Sequence, residues 1–192
     1  GEWGIFLNSG DIFENPNVLE KVFSNQKNLS FDIIYGNSYA FDHSNNIGRV
    51  FKSKSPKKLH TSMPFSHQSV FVKANLLQRN HFDLRYYIVS DYHMFLKLYR
   101  WGYSFYKLDQ TISAIDINGI SYSNVNTLRE QCAAYRDVYG FNIYLFINYI
   151  KWLMFEVRYV ISLLLHTYVV SMIWHTIGVV FILSRLLILL LL

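Results

Sequence analysis

Two aspartates, Asp11 and Asp91, carry the chemistry that this sequence offers. Asp11 closes the run Gly4-Ile5-Phe6-Leu7-Asn8-Ser9-Gly10-Asp11. Ile5 to Leu7 read as a short buried strand, and Asn8-Ser9-Gly10 are turn formers that stop it. A buried strand that releases small polar residues and a carboxylate at its C-terminal end is where open α/β sheets place ligands. Asp11 suits Mg²⁺ or Mn²⁺, Asn8 offers a second oxygen, and Gly10 lets a bulky anion approach the backbone. A strand followed by an Asx-type turn with no ligand uses the same residues. Asp91 is a different kind of carboxylate. It follows Ser90, a good N-cap, and opens a helix expected from Asp91 to Trp101 that Gly102 ends. The macrodipole in a first helical turn favours the charged form, which serves a general base and ordinary capping alike.

Several elements have to position these two groups. Asn15 and Pro16 predict the N-cap and first residue of a helix whose Val18, Leu19, Val22 and Phe23 share a face. Phe31 to Gly36 reads as a buried strand, with Asn37 at its tail as a site-lining candidate. Met63 to Val72 leads through a turn into a strand that would put His67, Ser69 and Phe71 on one face and Gln68 and Val70 on the other. His67 in such a place is a hydrogen-bonded structural histidine or a substrate contact. Tyr103 to Leu108 and Thr111 to Ile115 are expected as two short strands joined across Asp109-Gln110, with a turn at Asn118-Gly119-Ile120-Ser121. A helix of soluble character follows from Asn124. The segment Arg49 to Lys58 holds five basic residues and a proline. It reads as a mobile, solvated loop, or else as a surface for phosphates or anionic lipid.

Taken together, Ile5-Phe6-Leu7-Asn8-Ser9-Gly10-Asp11, Ile34-Tyr35-Gly36-Asn37, His67-Gln68-Ser69 and Ser90-Asp91-Tyr92 resemble the family 2 glycosyltransferases of the GT-A fold. The resemblance is to the branch that builds bacterial surface polysaccharides. It runs in order from Gly1 to about Ser121, and the half of the domain that holds base and ribose has no counterpart here. The chain therefore reads as a C-terminal fragment, expected to be inactive alone. The resemblance implies an α/β fold: a partial GT-A mixed sheet with flanking helices, followed by C-terminal apolar helices. It further implies that Asp11 holds Mg²⁺ or Mn²⁺ and, with Asn8, Ser9 and Gly10, the diphosphate of a nucleotide-sugar. Asp91 falls on the position of the catalytic base, and Asn37, His67 and Gln68 line the acceptor side. Asn8 and Gly10 stand where many relatives carry Asp.

The remaining 70 or so residues differ in character. The chain as a whole is 52% hydrophobic and 18% aromatic, and the apolar residues pile up after Phe141. Phe141 to Arg158 has only Lys151, Glu156 and Arg158 charged, as an interfacial helix would. Tyr159 to Leu183 runs for 25 residues without a formal charge, enough to cross a bilayer. The expected organisation is residues 1–122 for the transferase part, 123–158 for an amphipathic extension and 159–192 for a membrane-associated helix or helices. A net charge of +5 suits phosphates or an anionic membrane surface. The basic residues are not arrayed as nucleic-acid binders array them, so no nucleic acid is expected. A single cysteine, Cys132, excludes an intrachain disulfide and a Cys-rich zinc site. The functional expectation is transfer of a sugar, with inversion, from a nucleotide-sugar to a glycan or lipid-linked acceptor at the cytoplasmic face of the bacterial membrane. Its rivals are a membrane-anchored binding or assembly protein with a degenerate transferase fold, and a metal-dependent phosphoryl or nucleotidyl transferase, which would need more acidic ligands.

Overall fold

A computed structural model of the chain describes residues 1–42, 47–116 and 125–191. These form a mixed α/β arrangement in which the strands are β1 (Trp3–Gly4), β2 (Ile12–Phe13), β3 (Ile33–Asp42), β4 (Ile47–Phe51), β5 (Val70–Lys73) and β6 (Phe105–Asp116). The helices are α1 (Val18–Phe23), α2 (Gln26–Leu29), α3 (Ala74–Arg79), α4 (Ser90–Arg100), α5 (Val125–Tyr139) and α6 (Ile143–Leu191). The sheet order is β1-β5-β3-β6-β2, with β4 also on β3. β3 is the spine. It runs parallel to β6 on one side, while β5 and β4 share its other side, pairing antiparallel with its first and second halves.

Why β3 is buried follows from its alternation. Ile34 faces a cluster of Val18, Val22, Phe71 and Ile112, with Trp3, Phe13 and Phe23 packed around it. Tyr35 points to the opposite face, where its ring meets Phe65 at 4.7 Å, and Phe65 meets Phe95 of α4 at 5.2 Å. A strand covered on both faces reads as an unbroken apolar run, as Phe31 to Tyr35 nearly does. Gly36 then has a defined purpose. A Cβ there would lie 2.6 Å from the Gln110 carbonyl oxygen and 2.7 Å from Ile112 Cδ1.

Several local expectations are corrected. The strand expected at Ile5–Leu7 lies earlier, at Trp3–Gly4 on the edge of β5. Ile5 is partly buried against the core while Phe6 turns outward onto Phe82, with ring centroids 4.9 Å apart. The two strands expected across Asp109-Gln110 are one strand of 12 residues. Between the pairs Tyr35↔Lys107 and Asn37↔Thr111 β6 gains extra residues, so the polar pair marks a bulge, not a break. Asn15 does not cap α1. Its Oδ1 accepts from Asn17 N at 3.0 Å in an Asx turn, and the helix begins at Val18. His67 sits in a 3₁₀ turn, His67–Ser69, that precedes β5. The basic segment is ordered: Arg49 to Phe51 belong to β4, and Pro56–His60 form a second 3₁₀ turn. The turn at 118–121 lies outside the described residues.

Two compact units divide at Tyr149/Ile150. The first therefore takes in α5 and the opening turns of α6, in which Leu145 is only 1% exposed. α6 is one uninterrupted helix of 49 residues where two elements with a boundary at 158 were expected. Its stretch Ile143–Val170 is 28 residues long and apolar enough to cross a membrane by length and composition. At ~1.5 Å per residue that is about 42 Å, against about 30 Å of hydrocarbon.

Candidate active site

The site is built up from Ser69. Its hydroxyl donates to the Asn37 carbonyl at 3.0 Å and meets Ser38 Oγ at 2.8 Å and Ser113 Oγ at 2.6 Å. All three serines are fully buried. A hydroxyl exchange of this kind fastens the 3₁₀ turn to β3 and β6 together, because each buried oxygen must find its partner there. The two preceding residues, His67 and Gln68, are thereby planted on the sheet. Side chains on a strand would diverge to opposite faces, whereas successive residues of a 3₁₀ turn splay by about a third of a turn. Neighbouring residues can then reach two separate groups.

They reach the two aspartates. His67 Nδ1 lies 2.8 Å from Asp91 Oδ2, with the side chains 22% and 23% exposed. Gln68 Nε2 donates to Asp11 Oδ2 at 3.1 Å, and Gln68 Oε1 accepts from Ser66 Oγ. Asp91 stands in the first turn of α4, and its Oδ1 accepts from Tyr92 N at 2.7 Å. No side chain caps this helix. Glu130 of α5 does the work from a distance, its Oε2 accepting from Ile88 N at 2.8 Å and Val89 N at 3.2 Å. Ser90, expected as the cap, is the first helical residue.

Asp11 is held by three donors. Besides Gln68, Asn8 N reaches Oδ2 at 3.2 Å and Asp116 N reaches Oδ1 at 3.3 Å. Asn8 to Asp11 form a turn closed by Asp11 N donating to Asn8 O at 3.0 Å, and Gly10 supplies the positive φ of 92°. Ser9 and Gly10 are exposed. Asn37 does not join this set. It is buried, and its Oδ1 accepts from both Ser53 N at 3.0 Å and Ser53 Oγ at 3.1 Å.

Asp11 offers a single carboxylate as a possible ligand. Mg²⁺ commonly takes one or two carboxylates and draws its other ligands from substrate phosphates and water. Asp11 Oδ1 carries a single long N–H and has lone pairs to spare. One carboxylate oxygen therefore remains that a hard cation could take as a ligand.

A second group of ligand atoms lies about 200° round α4 from Asp91. Asp83, His93 and Asp137 present oxygen and nitrogen atoms within 4.8 Å of one another, beside an open depression of about 330 Å³. Arg85 already occupies it: Nη2 is 2.6 Å from Asp83 Oδ2 and 3.3 Å from Asp137 Oδ2. The guanidinium holds the Asp83 carboxyl down at about 2. Asp137 also meets His93 Nε2 at 2.9 Å, while burial lowers the affinity of that imidazole for a proton. A metal ion could bind here only by displacing Arg85. Sequence reading did not find this group or Glu130, since the contacts of Asp137 and Glu130 span 41 to 52 residues and leave no spacing to recognise.

In comparisons with known proteins, no protein-family model matches the chain, and neither does any curated protein.

Proposed function

We propose that the chain carries the acceptor side of the site of an inverting glycosyltransferase that takes a nucleotide-diphosphate sugar as donor. One observation carries the reading: His67 and Gln68, adjacent in sequence, touch Asp91 and Asp11 respectively. Two carboxylates 80 residues apart in sequence thus meet one short segment. A transferase needs this combination, one acid near the leaving diphosphate and one near the incoming hydroxyl. The resemblance to family 2 enzymes of the GT-A fold assigns those roles to the same two residues.

In this mechanism Asp91 accepts the proton of an acceptor hydroxyl as that oxygen attacks the anomeric carbon. His67 orients the carboxylate through Oδ2, and Tyr92 N fixes Oδ1. The new carbon–oxygen bond forms on the face opposite the bond to the diphosphate, which breaks. The nucleoside diphosphate leaves with the electron pair and the sugar is inverted. Asp11 would hold Mg²⁺ or Mn²⁺, which neutralises charge on the leaving diphosphate when bound. Asn8 and Gly10 keep the turn that aims Asp11, Gln68 steadies its carboxylate, and Ser9 lies beside it for the donor phosphates. The acceptor is a glycan or lipid-linked sugar. The site then works at the cytoplasmic face of the bacterial cell membrane, where nucleotide-sugars are made, with α6 as the anchor.

Asp11→Asn, introduced into the protein in its own membranes as it occurs in the cell, tests the donor side. It should raise the KM for the nucleotide-sugar and the Mn²⁺ requirement by on the order of tenfold or more, with kcat at saturation much less affected. Unchanged KM and metal dependence would remove Asp11 from the donor site.

A further inference from the structure

The basic segment is ordered beside the foot of α6, and that placement gives it a partner. In the 3₁₀ turn Pro56–His60, Leu59 is fully buried and its carbonyl accepts from Tyr92 Oη at 2.7 Å. His60 follows. Its ring stacks on Tyr144 of α6 at 4.6 Å with the planes 20° apart, and its Nδ1 lies 3.0 Å from Tyr135 Oη. Asn148 Nδ2, one turn further along α6, donates to the His60 carbonyl at 3.0 Å. Lys57 and Lys58 stand immediately before this latch and Lys54 just ahead of the turn, all three exposed. No carboxylate pairs with them among the described residues.

The opening of α6 has two characters. Leu145 and Asn148 are packed against the α/β unit, while Phe141, just before the helix, is 84% exposed and Phe146 is 61% exposed. Exposed rings on either side of Tyr144, whose own ring stacks on His60 just after the exposed Lys57 and Lys58, make up with the apolar run that follows the composition of a membrane–water interface. Lysines alone would be a solvated face. Here the turn that carries Lys57 and Lys58 is tied through His60 by two contacts to the opening turns of α6 and by one to Tyr135 of α5.

We infer that Lys54, Lys57 and Lys58, with Phe141 and Phe146, form a surface that binds the anionic headgroups of a phospholipid leaflet. The lysines contact lipid phosphates and the two rings enter the boundary between headgroups and acyl chains. This rests on the reading that α6 enters a membrane.

The test uses the full chain, synthesised in the presence of vesicles of phosphatidylcholine alone or mixed with phosphatidylglycerol. Flotation reports membrane association. A soluble amine-acetylating reagent, read by mass spectrometry, then reports access to each lysine, with the exposed Lys21 and Lys27 as internal controls. Acetylation of Lys57 and Lys58 should slow roughly fivefold on the anionic vesicles relative to the neutral ones. The controls should stay unchanged and high salt should abolish the difference. In Phe141→Ser/Phe146→Ser the protection should weaken while flotation persists. A chain that floats with both vesicles and is acetylated equally on both overturns the lipid surface and leaves the membrane helix standing. A chain that floats with neither overturns both.

Discussion

At the scale of single residues, the account turns on His67 and Asp91 acting as a unit. Asp91→Asn keeps the size of the side chain and its contact with Tyr92 N but removes the base. His67→Ala leaves the base present and unaimed. If His67 works through Asp91, its loss in the wild type should lower kcat on the order of tenfold, and its loss in the Asp91→Asn background should cost almost nothing more. Full additivity of the two in kcat would make His67 a separate contributor and break the unit. The sequence made these residues legible one by one. Asp91 was visible through Ser90 and the helix that follows, Asp11 through the turn formers before it. Their joining was not visible, because it depends on the buried hydroxyls of Ser38, Ser69 and Ser113, and three serines far apart in sequence look like any other serines. Asn37 shows the converse. It stands where a site residue was expected, yet Ser53 takes its side chain into the interior.

At the scale of elements, the helix bearing Asp91 is held from outside itself. Its last two preceding amides, Ile88 and Val89, donate to one carboxylate oxygen of Glu130 on α5. Hydrogen bonds to a charged acceptor are worth about 1.5–3 kcal/mol, and a neutral amide oxygen recovers only part of that. Glu130→Gln should therefore lower stability by about 1 kcal/mol, seen as a shift in the denaturant midpoint, and should lower kcat while leaving the KM for the donor alone. A variant with unchanged midpoint and unchanged kcat would show that α4 needs no such brace. Element identity was legible wherever one face of a periodic segment was apolar, as in α4 and β3. Element limits were not. Pro16 suggested a helix start that an Asx turn at Asn15 displaces, and Asp109-Gln110 suggested a break that the ladder to β3 absorbs as a bulge. In both places a tertiary or local hydrogen bond outcompetes propensity.

At the scale of the whole molecule, the opening turns of α6 are fastened within the α/β unit through His60, and that fastening has a pH signature. Burial lowers the imidazole below its ordinary value of 6.5. The groups facing the ring are Tyr99, Tyr135, Tyr139 and Tyr144, so no carboxylate among them offsets a positive charge. A folded-state value below the unfolded one means that the unfolded chain binds the extra proton. The contribution is then fully present above 6.5 and is lost as pH falls from there through the lower folded-state value. Tm should drop between neutral pH and about pH 5. His60→Phe, which keeps a ring in the stack, should flatten that drop, and an unaltered pH slope would place the sensitivity elsewhere, as in His93. The sequence foretold an apolar C-terminal stretch after Phe141 but not its continuity as one helix, nor that its first turns belong to the α/β unit, because those turns carry the same apolar signal as the rest. The most direct test of the transferase reading is donor turnover by the intact protein as it occurs in the cell, in its own membranes with Mn²⁺. Release of nucleoside diphosphate from a panel of nucleotide-sugars should depend on a lipid or glycan acceptor and should fall on the order of 10²–10⁴-fold in Asp91→Asn with donor affinity preserved. Equal release by wild type and Asp91→Asn, or none from any donor by the wild type, would contradict the account.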